Sequence, residues 1–169
     1  MIFTLMKKNI SSPKTAENAV FASTAEFMPI IEEMLACGQS VELSVRGKSM
    51  RPLLKEGRDS VILSPVKGEV KKYDIPLYKR VDGSYVIHRA VGIDGDKFTM
   101  AGDNQYVYER NVDRGQILAL VTAIRRGDRL VRAESVYLRL YAKIWHHTRT
   151  LRHLPIRVLR RLKRLFLSK

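Results

Sequence analysis

The sequence has a single cysteine, Cys37, among its 169 residues. One cysteine cannot form an intramolecular disulfide, and it cannot build a metal cage made of thiolates. Cysteine usage therefore does not indicate a redox compartment. We expect Cys37 to be a small, buried apolar side chain on a helix.

The sequence also has no hydrophobic run long enough to cross a bilayer. Its longest nearly apolar run is residues 117–124, well short of the roughly 18 residues that argue for a transmembrane helix. At the N-terminus the apolar residues precede Lys7 and Lys8, which is the reverse of a secretory signal. We expect neither a transmembrane helix nor a targeting peptide.

Acidic residues are scarce in the last quarter of the chain. Residues 125–169 hold 14 Lys or Arg but only Asp128 and Glu134 as acids. Residues 1–124 hold 17 basic and 15 acidic side chains. Most of the net charge of +14 therefore belongs to the tail, and the body is nearly neutral.

The length and composition predict one compact domain with appendages. Residues 1–14 are expected to be a flexible arm. Residues 15–37 predict an amphipathic helix, which Pro29 delays and Gly38 ends, because apolar residues recur at spacings of three and four. These apolar residues are Phe27, Ile30, Ile31, Met34 and Leu35.

From Val41 the hydrophobic period changes to two, which is typical of half-buried strands. The pattern and its turn residues predict a mostly β body over residues 41–126, with turns at 82–83, 94–95 and 127–128. The predicted strands cover residues 41–45, 60–63, 74–79, 85–93, 98–101 and 116–124.

Residues 129–169 predict a basic, amphipathic helical extension that Pro155 divides into two helices. The apolar residues at helical spacing among the arginines are Leu151, Leu154, Val158, Leu162 and Leu165. The extension either docks on the body or lies on an anionic membrane through residues 134–169. We favour a peripheral membrane location over binding to nucleic acid, because no recognition-module pattern is present. The sequence does not indicate the side of the membrane, and without membrane association we expect a cytoplasmic location.

Residues 46–57 are the most informative about chemistry. Ser49 follows a predicted strand, with Gly47 two residues before it and Pro52 three residues after it. Such a turn can present the serine hydroxyl, but a free hydroxyl is a poor nucleophile and needs an adjacent base. Taken alone, this serine is most simply a turn residue.

The run from Gly47 to Pro52, Gly-Lys-Ser-Met-Arg-Pro, resembles the nucleophile box of the type I signal peptidase family. That family shares its fold with LexA-type self-cleaving proteases. Further segments continue the resemblance in the same order: residues 74–78, 85–93, the Gly-Asp-Asn box at 102–104, and Asp-Arg-Gly at 113–115. The resemblance implies a coiled β-barrel catalytic domain over residues 15–128, with an N-terminal helix and the basic helical extension.

The resemblance also implies which residue is the general base. Bacterial-type members have a lysine before Arg-Val in the relevant strand, whereas the archaeal and endoplasmic-reticulum type has a histidine there. This sequence has His88 before Arg89, while the competing Lys79 lies on the preceding predicted strand. Imidazole suits the role because its ordinary pKa lies near neutrality.

A histidine base also needs an orienting carboxylate. By resemblance Asp113 takes this role, and Asp103 is the competing candidate; otherwise Asp113 would be an ion-pair partner and Asp103 a turn residue. Many members have a serine where this chain has Gly47. The oxyanion hole would then depend on backbone N–H groups, chiefly that of Ser49, in the turn shaped by Gly47, Met50 and Pro52.

The implied function is a serine endopeptidase that cleaves peptide or protein substrates, such as leader or signal peptides, through an acyl-enzyme. We expect no cofactor and no metal. The alternatives are a LexA-like regulator that cleaves itself or only binds, and a non-catalytic module that binds membranes or nucleic acid. The oligomeric state is not indicated by the sequence.

Overall fold

A computed structural model describes residues 4–5, 24–149 and 151–152 of the chain. The described part is mostly β, as predicted. Its helices are α1 (Thr24–Ala36) and α2 (Val136–His147), and a short 3-10 turn covers Arg114–Gln116. Its strands are β1 (Thr4–Leu5), β2 (Val41–Ser44), β3 (Asp59–Pro65), β4 (Pro76–Lys79), β5 (Tyr85–Ile87), β6 (Arg89–Asp94), β7 (Lys97–Ala101), β8 (Glu109–Asp113), β9 (Ile117–Arg126) and β10 (Arg129–Arg132).

The strands form two antiparallel sheets. The larger sheet has the order β1-β2-β3-β9-β4-β5, with β10 also paired to β9, and it is curled into a half-barrel. The smaller sheet has the order β6-β7-β8. His88 is the single residue between β5 and β6, so the chain passes from one sheet to the other at this residue.

The prediction of one continuous strand over residues 85–93 is therefore wrong. Ile87 pairs with Leu77 of β4, whereas Arg89 pairs with Ala101 of β7. The apolar pattern does not show this break because residues on both sides of His88 are buried. When a segment changes the strand with which it pairs, the spacing of its hydrophobic residues need not change, so the sequence pattern does not reveal the break.

The main core lies between α1 and the larger sheet. Met28, Ile31 and Leu35 of α1 belong to the same buried cluster as Leu43 and Leu77. The helix is already formed at Thr24 and runs through Pro29, so the expectation that Pro29 delays its start is wrong. It ends at Gly38, as predicted, where a left-handed backbone (φ 80°) lets the Gln39 N–H donate to the Met34 carbonyl at 2.9 Å. Residues 15–23 of the predicted helix lie outside the described residues.

Cys37 is exposed, so the expectation of a buried thiol is wrong. The residue lies in the turn after α1 and not on the face that carries Ile31 and Leu35. Of the described helices, neither is long and apolar enough to cross a bilayer.

Three strands were not predicted. In the segment expected to be a flexible arm, β1 pairs with β2 through Thr4 opposite Ser44 and Leu5 opposite Leu43; the other arm residues lie outside the described part. Strand β10 begins just after the predicted boundary at residue 128, within the region expected to be helical, and forms a hairpin with β9. Strand β8 has one buried residue, Val112, and so lacks an alternating pattern.

Helix α2 begins within the region expected to be helical. The Ser135 hydroxyl accepts a hydrogen bond from the Leu138 N–H at 3.4 Å, which caps the helix start. Leu138 and Ala142 are buried against the body. Of the leucines expected to continue the pattern, Leu151 is described, while the break at Pro155 lies outside the described residues.

The Leu77→Ala variant should lower the free energy of unfolding by about 2–5 kcal/mol, because Leu77 is fully buried and its removal leaves a cavity. Urea denaturation measures this change. Leu130→Ala removes the same atoms from a residue that is half-exposed on β10, and should cost about 0.5 kcal/mol or less. Equal losses in the two variants would contradict the core described here.

Candidate functional site

The Ser49 loop follows β2 and is shaped by a glycine in a left-handed conformation. Gly47 has φ 87°, and its N–H donates to Glu56 Oε2 at 3.2 Å. Met50 is fully buried and accepts a backbone bond from Leu54 at 2.9 Å. Pro52 is exposed and follows a cis peptide bond. Gly47, Met50 and Pro52 thus shape the turn that carries Ser49.

The segment 102–104 fixes the backbone of this loop. Asn104 donates its N–H to the Ser49 carbonyl at 2.8 Å and its side-chain amide to the Lys48 carbonyl at 3.2 Å. A Cβ atom on Gly102 would lie 2.7 Å from the Ser49 carbonyl oxygen. Only glycine therefore allows this close approach.

His88 lies at the same place. Strands β6 and β7 are antiparallel, and Arg89 lies opposite Ala101 at one end of the pair. His88 comes just before Arg89 and Gly102 just after Ala101, so the two residues are the next positions at that end. The Ser49 loop and the β5–β6 link that holds His88, which are far apart in sequence, thus both come close to the Ala101–Gly102 segment. His88 itself is 1% exposed.

His88 is held by a carboxylate that was not predicted, that of Glu109. Nδ1 of His88 lies 3.1 Å from Glu109 Oε1 and 3.2 Å from the Tyr78 hydroxyl. The Tyr78 hydroxyl donates to Glu109 Oε2 at 2.8 Å. Imidazole, phenol and carboxylate therefore form one connected network, with Tyr78 on β4 and Glu109 on β8.

Arg80 completes the network by binding Glu109 with both arms of its guanidinium group. Its Nε donates to Oε2 at 2.7 Å, and a terminal nitrogen donates to Oε1. Burial acts to raise the pKa of Glu109, but hydrogen bonds from His88, Arg80 and Tyr78 outweigh it and hold that pKa well below its usual value. Glu109 is therefore an ionised acceptor at neutral pH.

The network decides which ring nitrogen of His88 carries the proton. An ionised carboxylate can only accept hydrogen bonds, and the Tyr78 hydroxyl already donates its hydrogen bond to Glu109. Nδ1 must therefore be the donor to Glu109. In the neutral ring, Nε2 then carries the lone pair, as a general base requires.

Neither aspartate predicted to orient His88 does so. Asp113 is half-exposed and forms an ion pair with Lys97, also half-exposed. Among residues 24–149, the one acid paired with His88 is Glu109. Glu109 and Asp113 lie at opposite ends of β8. The sequence motif that contains Asp113 did not indicate that the Glu109 end of this strand faces the imidazole.

Asp103 has a different partner. Its two carboxylate oxygens each accept a hydrogen bond from Arg89, both at 2.8 Å, and both side chains are buried. Arg89 also donates to the Tyr73 carbonyl at 2.9 Å. Trp145 of α2 donates its indole N–H to the Asp103 carbonyl at 2.9 Å. Asp103 therefore anchors α2 to the 102–104 segment.

Lys79, the competing base, is turned toward α1. Its Nζ lies 3.4 Å from Glu32 Oε1 and 4.9 Å from the centre of the Tyr85 ring. The preference for His88 over Lys79 agrees with this placement.

Sequence reasoning missed Glu109, Tyr78 and Arg80. Glu109 lies in β8, which has no alternating pattern, and Asn111 of the same strand has a left-handed backbone (φ 58°). Tyr78 did carry a signal, because a tyrosine within a predicted buried strand needs a partner for its hydroxyl. Nothing in the sequence indicated that this partner was an acid 31 residues later.

No family model matches the chain, and no curated protein matches it significantly. Within the described residues there is also no group of three or more His, Cys, Asp or Glu that could hold a metal ion.

The two aspartates should differ sharply in their effect on stability. Asp103→Asn leaves the buried Arg89 without its charge partner, so we expect the free energy of unfolding to fall by about 3–5 kcal/mol. Asp113→Asn removes an exposed pair and should change it by about 1 kcal/mol or less. Chemical denaturation of both variants measures the difference, and a larger loss in the Asp113 variant would contradict these environments.

The Glu109 network should also appear in the pH dependence of stability. The pKa of Glu109 is lowered on folding, so its ionised form stabilises the protein above the unfolded value of 4.5, and this contribution is lost as the pH falls below it. The stability difference between the wild type and Glu109→Gln should thus be smaller well below pH 4.5 than at neutral pH. Denaturation at several pH values measures it; a difference independent of pH would argue against an ionised Glu109.

Proposed function

We propose that this chain is a serine endopeptidase in which Ser49 is the nucleophile, His88 the general base and Glu109 the residue that positions the base. One observation carries the proposal. His88 is buried, its Nδ1 is held by an ionised carboxylate, and the chain places it beside the glycine that touches the Ser49 loop. This is the arrangement that a serine hydrolase needs behind its base.

The reaction would have two steps. Ser49 Oγ attacks the carbonyl carbon of the scissile bond while Nε2 of His88 takes the hydroxyl proton. His88 then gives this proton to the leaving amine as the C–N bond breaks, which leaves an ester on Ser49. Water, deprotonated by His88, hydrolyses the ester and restores the serine hydroxyl.

Glu109 would act through His88. When His88 accepts the proton, the imidazolium lies against an ionised carboxylate, which stabilises its charge. Arg80 and Tyr78 keep this carboxylate ionised and fixed in direction. Glu109 therefore takes the role that the sequence reasoning assigned to Asp113.

The finer fold and the substrate are part of the same proposal. A curled sheet with a second small sheet beside the serine loop fits a coiled β-barrel of the signal-peptidase and LexA type. The order of the sequence segments supports that family, of the Ser-His type. By analogy, the substrate is an extended leader or signal peptide with small side chains next to the cut.

One observation favours a second candidate, a regulator that cleaves itself. Strand β1 from the N-terminal arm is paired with β2, the strand that leads into the Ser49 loop. An extended peptide that adds to a sheet edge uses the same backbone groups. The chain's own arm is therefore a candidate substrate, and spontaneous loss of arm residues, seen by intact mass, would support it.

Cleavage of a pooled library of extended peptides, with alanine or serine before the cut, tests the proposal when followed by mass spectrometry. Ser49→Ala should abolish cleavage. Glu109→Gln should lower kcat by roughly 10²–10⁴ and move the acidic limb of the pH–rate profile to lower pH, because the imidazolium loses its counter-charge. A merely structural role for Glu109 would leave the pH profile in place.

The controls are Asp113→Asn and Lys79→Ala, which change one exposed acid and the competing base. Both should retain cleavage. Cleavage that survives Ser49→Ala would overturn the assignment of the nucleophile. Loss of activity in Asp113→Asn, with Glu109→Gln unaffected, would return the positioning role to Asp113.

A further inference from the structure

Helix α2 has two apolar faces, and only one of them packs on the body. Leu138 and Ala142 are buried. On the other side are Val136, Leu140 and Ile144, which are 81%, 55% and 54% exposed. At about 100° per residue, these three lie along one stripe, nearly opposite the buried pair.

The exposed stripe extends beyond these three residues. Tyr137, 66% exposed, lies at its edge. Leu151, also 66% exposed, falls on the same line one helical turn beyond α2, where Arg152 donates its N–H to the Thr148 carbonyl at 3.0 Å. Single exposed apolar residues are ordinary, but a continuous apolar stripe marks a docking surface. We call Val136, Tyr137, Leu140, Ile144 and Leu151 the outer stripe.

Basic side chains lie along one side of the outer stripe. Arg139 and Lys143 lie on one side of it on α2, next to a cavity of about 770 Å³. Lys67, Lys71 and Lys72 line the same cavity from the loop before β4. Three acids, Glu69, Asp74 and Glu134, also line it, so basic groups outnumber acids there. An apolar stripe bordered by Lys and Arg matches a surface with an apolar interior and anionic phosphates.

We propose that the outer stripe and the basic side chains beside it lie on an anionic membrane, with α2 parallel to the membrane surface. The apolar side chains enter the boundary between headgroups and acyl chains, and Arg139, Lys143 and the loop lysines meet lipid phosphates. This inference concerns a surface and a partner, and it does not depend on the proposed peptidase chemistry.

A membrane fits this surface better than nucleic acid does. Nucleic-acid surfaces combine basic groups with polar or stacking contacts to bases and phosphates. The centre of the outer stripe is aliphatic, through Val136, Leu140 and Ile144. Aliphatic side chains at the centre of a basic surface gain most from burial among acyl chains.

Sedimentation with vesicles tests the proposal on the full chain. One set of vesicles contains phosphatidylcholine and phosphatidylglycerol in equal parts, and the other contains phosphatidylcholine alone. We expect binding to the anionic vesicles that weakens as salt is added. The double variant Leu140→Ser/Ile144→Ser should lower the partition coefficient by about tenfold or more, because two apolar side chains no longer enter the membrane.

The matched control is Val81→Ser/Val107→Ser, which removes two exposed apolar side chains from other surfaces and should bind as the wild type does. A fluorophore at Leu140→Cys in a Cys37→Ser chain should shift its emission to the blue on anionic vesicles. The same fluorophore at Val81→Cys should not.

Two results would overturn the proposal. Anionic binding that is unchanged in the Leu140→Ser/Ile144→Ser variant would place membrane contact outside the outer stripe. Failure to bind vesicles, together with self-association that this variant abolishes, would make the outer stripe an interface between two copies of the chain.

Discussion

The Glu109 carboxylate is the point on which the arrangement of the two sheets depends. It lies on β8 of the small sheet and accepts hydrogen bonds from Tyr78 and Arg80, which come from β4 and the residue after it in the large sheet. His88, at the crossover between the sheets, binds the same carboxylate. A partly buried carboxylate is stable only when it is paired and hydrogen-bonded. The hydrogen bonds that stabilise the Glu109 carboxylate therefore also hold the two sheets together and position the imidazole.

The neighbouring residue, Arg89, organises the opposite side of the same crossover. Its pair with Asp103 holds the 102–104 segment, which contacts the Ser49 carbonyl on one side and Trp145 of α2 on the other. A buried ion pair is weak evidence for stability but a strong constraint on geometry, because neither partner tolerates the loss of the other. The serine loop, the crossover and α2 are therefore connected through the contacts of the 102–104 segment.

Local patterns in the sequence predicted the mostly β body, the end of α1 at Gly38 and the helix that follows the β body. They did so because periodicity and glycine act within a few residues. The break at His88, strand β8 and the partner of the imidazole were not predictable in this way. Glu109 and Tyr78 are 31 residues apart. Which of Glu109, Asp103 and Asp113 faces His88 depends on strand register and sheet crossing, which motif order does not contain.

The single-residue length of the link between β5 and β6 has a consequence for how the chain tolerates change. Successive side chains along an extended backbone face opposite ways, and here His88 faces Glu109 while Arg89 faces Asp103. Inserting one residue before His88 would put the new side chain at the position that faces Glu109 and turn the imidazole toward Asp103. Substitutions elsewhere in the two sheets alter the strength of contacts, but a change of length at this link alters which partners meet.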